Sequence, residues 1–457
     1  MGESCMRLTF VSPPFAGHFN PLLVLAKAAR DAGHEIEFIT GPRKHPILDA
    51  SGIAAPHLNS IGPETLEAIA NTKDPVGSNP FKLLAQFRDN LRLLPSIGAE
   101  LEQRWRQERP DIVIADSVAP IAGLVCERLK IPWITTIATP FSIETRSGTP
   151  SYCGGWTPGN KLRDAAGRAA IRTFKQFVAF LFRDEFNALG LSSVYRPDGS
   201  EAIYSPRAIL GFGLNELEFE RDWPAQFEMI GPLIDAPEIA PPLPAHTRQR
   251  VLVSHGTHLL WAKRTLVDEV IELSKLLPDV DFVISLGQGP GSNGGASSSE
   301  ATAHSAVGTG HSPRRASFSL RGASAPLLDE NIPASRTTSE SPLYPAERVT
   351  VLPFVSYSFD AFDAVIHHGG AGVTYAAILA RLPSLVIPRD YDQFDYAARI
   401  VFHKLGLRSP SITDPVSLRH LLNRDAWPEL DRFQQYARAY RPAQSFMNTM
   451  DRVVEQG

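Results

Sequence analysis

The residues best suited to chemistry are His368, Gly369, Gly370, Ala371 and Gly372, which run consecutively. Glycines let backbone N–H groups come close to an anion, and a helix that starts directly after them adds the positive end of its dipole. An imidazole just before that helix can donate one more hydrogen bond. Types and spacing together describe a phosphate site, although Gly-Gly-Ala-Gly alone would also serve as a tight turn in any α/β protein. A second pair is His18, in the string PPFAGHFNP, and Asp116, which closes the apolar run Ile112–Ala115. A carboxylate that orients a histidine and stabilises its imidazolium is the usual support for a general base. Asp116 would also suit the N-cap of the helix that follows it, and the two roles are compatible.

Alternating strand and helix patterns must position these groups. Arg7–Ser12 reads as a strand, Asn20 as an N-cap and Pro21 as a first helical residue. Leu22, Leu25, Ala26 and Ala29 recur at helical spacing up to Gly33, and Glu35–Thr40 reads as the next strand. His18 is thereby placed in the loop after the first strand, where an open parallel sheet lines its ligand crevice. A helix is expected over Ile121–Leu129 and a strand over Pro132–Ile137. In the second half, Val251–Ser254 and Val349–Leu352 read as strands. Ala364–Ile366, a helix over Thr374–Ala380 ended before Pro383, and Ser384–Pro388 form a βαβ unit around the glycines.

His368-x-Gly370-x-Gly372, followed by Pro388-x-x-x-Asp392-Gln393, resembles the donor-binding signature of the UDP-glycosyltransferase superfamily, most of all its microbial macrolide- and rhamnolipid-type branch. The resemblance implies an α/β architecture of the GT-B type, two Rossmann-like doubly wound domains facing each other across a cleft. It implies an N-terminal acceptor-binding domain over 1–235, a Pro-rich linker over 236–248 and a nucleotide-sugar-binding domain over 249–425. A C-terminal helix over 426–457 then packs back on the first domain. By motif position, His18 and Asp116 resemble the family's catalytic pair. His368, Gly370, Ala371, Gly372 and Thr374 are expected at the diphosphate, Phe354 and Val355 at the base, and Asp392 and Gln393 at the sugar hydroxyls. Thr257 is expected either near the diphosphate or in a plain strand-end turn. Gly372, Val373 and Ala376 depart from plant-type members, which carry Asn, Ser and a ribose-binding Glu there. UDP, the family's usual nucleotide, is the expected one, and these departures leave dTDP and GDP as alternatives.

Residues 140–215 are expected to hold the acceptor, with Tyr152, Trp156 and Phe177 as candidates. Leu162–Leu189 reads as an amphipathic helix packed on its own domain. The implied activity is metal-independent, inverting transfer of a hexose to a hydroxyl of a small hydrophobic acceptor such as a secondary metabolite, with no cofactor. A glycolipid-forming or sterol transferase at a membrane surface is one alternative, motivated by the phenylalanines of that helix. A non-catalytic auxiliary protein of the same fold is another.

Composition sets the outer limits. A chain of 457 residues suits two domains. A net charge of −4 gives no basic footprint for nucleic acid. No apolar run reaches membrane-spanning length, and the N-terminus reads as a strand rather than a signal peptide, so a cytoplasmic protein is expected. Cys5, Cys126 and Cys153 have no metal spacing and read as reduced thiols. Asp390-Tyr391-Asp392 spells a metal-binding D-x-D but overlaps the Asp-Gln position, and is read as coincidence. Residues 288–344 are rich in Gly, Ser, Ala, Pro and Thr and read as a disordered insert.

Overall fold

The computed structural model describes residues 5–63, 65–66, 80–151, 154–234, 247–256, 263, 265–287, 348–355 and 359–456. The insert expected over 288–344, residues 236–246 of the expected linker, Cys153, and the candidate residues Tyr152 and Thr257 lie outside that set.

Two six-stranded parallel sheets carry the fold, which is of the GT-B type. The first contains β1 (Arg7–Val11), β2 (Glu35–Ile39), β3 (Ile112–Asp116), β4 (Trp133–Ile137), β5 (Ile209–Gly211) and β6 (Phe227–Met229) in the order β2-β1-β3-β4-β5-β6. The second contains β7 (Gln249–Ser254), β8 (Val280–Ser285), β9 (Val349–Leu352), β10 (Ala364–His367), β11 (Ser384–Val386) and β12 (Gly406–Arg408) in the order β12-β11-β10-β7-β8-β9. The central strands are buried on both faces, so they read as continuous apolar runs.

The helices among the described residues are α1 (Ala16–Asp31), α2 (His45–Ala50), α3 (Pro80–Gln107), α4 (Pro120–Leu129), α5 (Lys161–Leu181), α6 (Arg183–Ala188), α7 (Leu266–Leu276), α8 (Ala371–Leu379), α9 (Gln393–Phe402), α10 (Pro415–Leu421), α11 (Glu429–Ala439) and α12 (Pro442–Glu455). None is long and apolar enough to cross a membrane.

Three helices differ from the sequence reading. Helix α1 starts at Ala16, not after Asn20. Phe15 is its extended N-cap, and the N–H groups of His18 and Phe19 both reach the Phe15 carbonyl, at 2.9 and 2.8 Å. Pro21 lies in the second turn, where it forfeits one backbone bond without ending the helix. The helix expected over Leu162–Leu189 breaks at Phe182, whose ring is buried. The last helix is two, because Arg441 precedes Pro442 and leaves the helical region. Helix α11 buries Leu430, Phe433 and Ala437 in the core of the second sheet, whereas α12 buries Phe446, Met450 and Val453 in the core of the first.

Candidate active site

In an open parallel sheet, ligands bind beyond the strand C-termini where the strand order reverses. The first sheet reverses between β1 and β3, which pair from Leu8↔Ile112 to Val11↔Ala115. His18, in the first turn of α1, follows β1, and Asp116 is the last residue of β3. The topology thus brings His18 and Asp116 together across 98 residues, with His18 Nδ1 3.0 Å from the Asp116 carboxylate. Asp116 is fully sealed, while the His18 side chain keeps 22% exposure. Because Nδ1–H donates to the carboxylate, Nε2 is the nitrogen left to take a proton. Asp116 also accepts from the Val118 N–H at 2.8 Å, so it fixes the turn that leads into α4, whose N-cap is Ala119 rather than Asp116. Burial alone would lower the His18 pKa. The charge and hydrogen bond of Asp116, with the charge of Asp392, outweigh burial and raise it.

The second sheet reverses between β7 and β10, which end in register at His367↔Ser254. The residues that follow these strands meet there. A Cβ built on Gly256 would stand 2.6 Å from Cε1 of His368, and one on Gly370 would stand 2.6 Å from its Nε2. The His368 ring lies across two glycines, and a side chain at either would displace it. Gly256 also has φ +70°, a conformation costly for other residues. Gly370 is the N-cap of α8, so the free N–H groups of Ala371 and Gly372 open from the first turn beside His368. His367 is fully buried and takes the Gly369 N–H on Nδ1 at 3.1 Å. Burial, then the neighbouring His368 and His255, push its pKa down to about 3, so it stays neutral.

The two switch points face each other. One crevice is lined by Ala16, Gly17 and Asn20 of α1 and by Ala371, Gly372 and Tyr375 of α8. Asp392 is the N-cap of α9. Burial raises its pKa to about 6, against the favourable charge of His18, which places the two groups within electrostatic reach. Tyr391, beside it, is half-exposed in the left-handed region at φ 54°, and its hydroxyl accepts from Gln86 Nε2 of α3 at 3.5 Å. Backbone held in a sparse region beside a site is a reason to look for function there.

Several expected contacts differ. Thr374 is fully buried within α8, so its hydroxyl does not open on the crevice. Gln393 uses Oε1 to accept from the N–H groups of Arg389 and Asp390, at 2.8 and 3.1 Å, and so holds the loop that carries Asp392. Val355, expected to meet the base through its backbone, donates its N–H to Ser285 Oγ at 3.0 Å. Phe354 is half-buried beside it. Trp156 packs on α5, with the Arg163 guanidinium 5.2 Å above its ring. Phe177 stands on the outward side of α5, since Lys175, on the opposite side, is the residue paired inward with Glu144 and Glu201. Neither aromatic meets His18.

Lys263 and Val118 were not singled out from the sequence. Lys263 Nζ donates to the Leu286 carbonyl at 2.9 Å and lies 3.2 Å from where a Cβ on Gly287 would be. Burial pushes it down to about 8. Nothing in a lone loop lysine signals this. Val118 is half-exposed in the turn held by Asp116. Among the described residues no cluster of His, Cys, Asp or Glu is arranged to hold a metal.

No family model matches the chain. It is 24% identical to a zeaxanthin glucosyltransferase of Pantoea ananas over 98% of this chain and 94% of that one. It is 24% identical to an L-demethylnoviosyl transferase of Streptomyces niveus over 90% of this chain and 87% of that one. Among solved structures, the glycotransferase of kitacinnamycin superposes with a TM-score of 0.66 at 18% identity, covering 98% of this chain and 99% of that one. The glycosyltransferase VinC, in complex with dTDP, superposes with a TM-score of 0.59 at 17% identity, covering 99% of this chain and 100% of that one.

Proposed function

We propose that this chain, a glycosyltransferase of the GT-B fold in the microbial secondary-metabolite branch of the UDP-glycosyltransferase superfamily, transfers a hexose from a nucleotide-sugar to a hydroxyl of a small hydrophobic acceptor with inversion at the anomeric carbon. The observation that carries the reading is the opposition of the two switch points: a carboxylate-held histidine on one side, and on the other an imidazole laid against a helix N-terminus.

In this reading the donor diphosphate lies on the N–H groups of Ala371 and Gly372 beside His368, and Asp392 accepts hydrogen bonds from the sugar. His18 Nε2 takes the acceptor hydroxyl proton as the oxygen attacks the anomeric carbon from the face opposite the nucleotide. The bond from that carbon to the phosphate oxygen breaks, and its electron pair leaves with the diphosphate. Asp116 holds the imidazolium that forms. Base assistance of this kind is worth roughly 10²–10⁴ in rate. His368 and the α8 N-terminus face the oxygen on which negative charge grows, which is electrostatic stabilisation. The step asks for no metal and no cofactor.

UDP is the nucleotide we propose first. The dTDP reading has its own support: VinC and SsfS6, two structural neighbours, are seen with thymidine diphosphate, and Ala376 stands where a ribose-binding Glu would favour a ribonucleotide. Thermal shift and donor hydrolysis with UDP-glucose, UDP-GlcNAc, dTDP-glucose, dTDP-rhamnose and GDP-mannose decide, on wild type and His368→Ala. Stabilisation by one nucleotide-sugar that disappears in the variant is the expected result. A flat response from folded protein would favour the auxiliary reading, as would unchanged product formation in His18→Ala.

A further inference from the structure

The C-terminal edge of the second sheet continues past His368. In the order β10-β7-β8-β9, β7 ends beside β10 at Ser254 and beside β8 at Ser285. Gly256 follows β7 and Gly287 follows β8, and both are left-handed, at φ +70° and +72°. Their turns pack backbone on backbone, since a Cβ on Gly287 would collide with the Gly256 carbonyl oxygen. Gly256 lies against the His368 ring, and Gly287 lies against Lys263, whose Nζ is 3.2 Å from that Cβ position. An imidazole and an ammonium therefore attend one pair of touching turns. The turns follow adjacent strands, which stand ~4.8 Å apart, close to the reach of a diphosphate.

Lys263 is an unfavourable residue to hold here without a ligand. It is half-buried, burial lowers its pKa, and no carboxylate among the described residues offsets that. An ammonium offers three donors, and the Leu286 carbonyl takes one, at 2.9 Å. A desolvated cation with donors to spare and no counter-charge suits an anion that binds and leaves. We propose that Lys263 is a further donor-binding residue: its ammonium holds the phosphate next to the nucleoside, while His368 and the α8 N-terminus hold the phosphate next to the sugar. Strand order sets that direction. From β10, β9 lies beyond β8, and the Val355 N–H ties the segment after β9 to Ser285 at the end of β8. That segment is where the base is expected. Base, Lys263 and His368 then follow one another along the sheet edge as base, inner phosphate and outer phosphate follow one another in a nucleotide-sugar. The assignment rests on the transferase reading, since it names one more contact of the same donor.

The test is calorimetric titration of the full chain with UDP, UMP and uridine, and with dTDP, dTMP and thymidine. Lys263→Met keeps the length and the apolar stem of the side chain, and its melting without nucleotide checks that folding is retained. This variant should bind the diphosphate and the monophosphate each about tenfold or more weakly, as expected when a charge-assisted hydrogen bond is lost. Its remaining affinity should depend less on salt, and nucleoside binding should not change. His368→Ala should weaken the diphosphate far more than the monophosphate. A second arm needs no variant. Acetylation of Lys263 in wild type by acetic anhydride, read by mass spectrometry, should be slowed by saturating monophosphate and not by nucleoside. Equal affinities in Lys263→Met and wild type overturn the proposal, as does acetylation that neither nucleotide slows. A loss confined to the diphosphate also overturns it, because the ammonium would then sit at the outer phosphate. Wild type that binds none of these nucleotides removes the donor reading itself, an outcome distinct from the failure of Lys263 alone.

Discussion

His18, the proposed general base, feels the charge of two carboxylates, Asp116 and Asp392, and each predicts a different pH response. A general base must be neutral, so transfer should rise with pH as His18 loses its proton. Its pKa is raised above the ordinary 6.5, so the acid limb of kcat/KM should be centred above that value. Asp116→Asn removes the charge and misdirects the imidazole. The limb should move to lower pH while the plateau falls roughly 10²–10⁴-fold, and pH–rate profiles of both proteins read the two effects. A fall without a shift would mean that Asp116 only shapes the turn at Val118. Asp392 gives the opposite signature in stability. Its folded pKa, about 6, lies above the ordinary 3.8, so the native state holds the proton more tightly. The resulting stability is present below pH 4 and is lost as pH rises through 6. Asp392→Asn should therefore raise Tm at pH 7 to 8, change it little near pH 4, and weaken donor use, a trade visible by combining calorimetry with kinetics.

At the scale of elements, the proposed donor site depends on the missing side chain at the N-cap of α8. Gly370→Ala keeps an ordinary φ of −72° but sets its Cβ against Nε2 of His368. The ring must move off the helix N-terminus. A charge-assisted hydrogen bond is worth about 1.5–3 kcal/mol, so donor KM should rise about tenfold or more while acceptor KM is unchanged. Steady-state kinetics with each substrate varied separately checks this. The glycines, His18 and Asp116 were legible because strand runs bracket them, and doubly wound sheets bring such loops together. The start of α1 was not legible. Asn20-Pro21 is a sound start signal, but it was overridden by Phe15, whose carbonyl takes two N–H groups. Which face of α5 turns inward was not legible for a related reason. Periodicity shows that a helix has two faces, but only the partners Glu144 and Glu201, distant in the sequence, show which face turns inward. Thr374 could not be judged either, since a hydroxyl one turn into a helix is open or sealed according to what packs over it.

At the scale of the molecule, both switch points are useful only if the two sheets hold a fixed relation. Arg399 of α9 pairs with Glu218 from the first half of the chain at 2.8 Å, and both side chains are at most 2% exposed. The guanidinium is stacked 4.2 Å from Phe141 and 4.6 Å from Phe219. Nearby, the Tyr396 hydroxyl donates to the Ala138 carbonyl at 2.8 Å. Burial of this pair costs each charge its hydration, so removing one partner leaves the other stranded. Arg399→Met should lower stability by about 3–5 kcal/mol. Adding Glu218→Met should recover most of that loss, because an apolar pair of similar volume leaves no stranded charge. Activity should not follow. Bidentate hydrogen bonds specify one orientation of the two halves, and methionines fill the same space in several. The double variant is therefore expected to melt near wild type yet keep a depressed kcat, with His18 and His368 intact but no longer held at their working separation. Full recovery of kcat along with Tm would make the pair a stabilising contact alone.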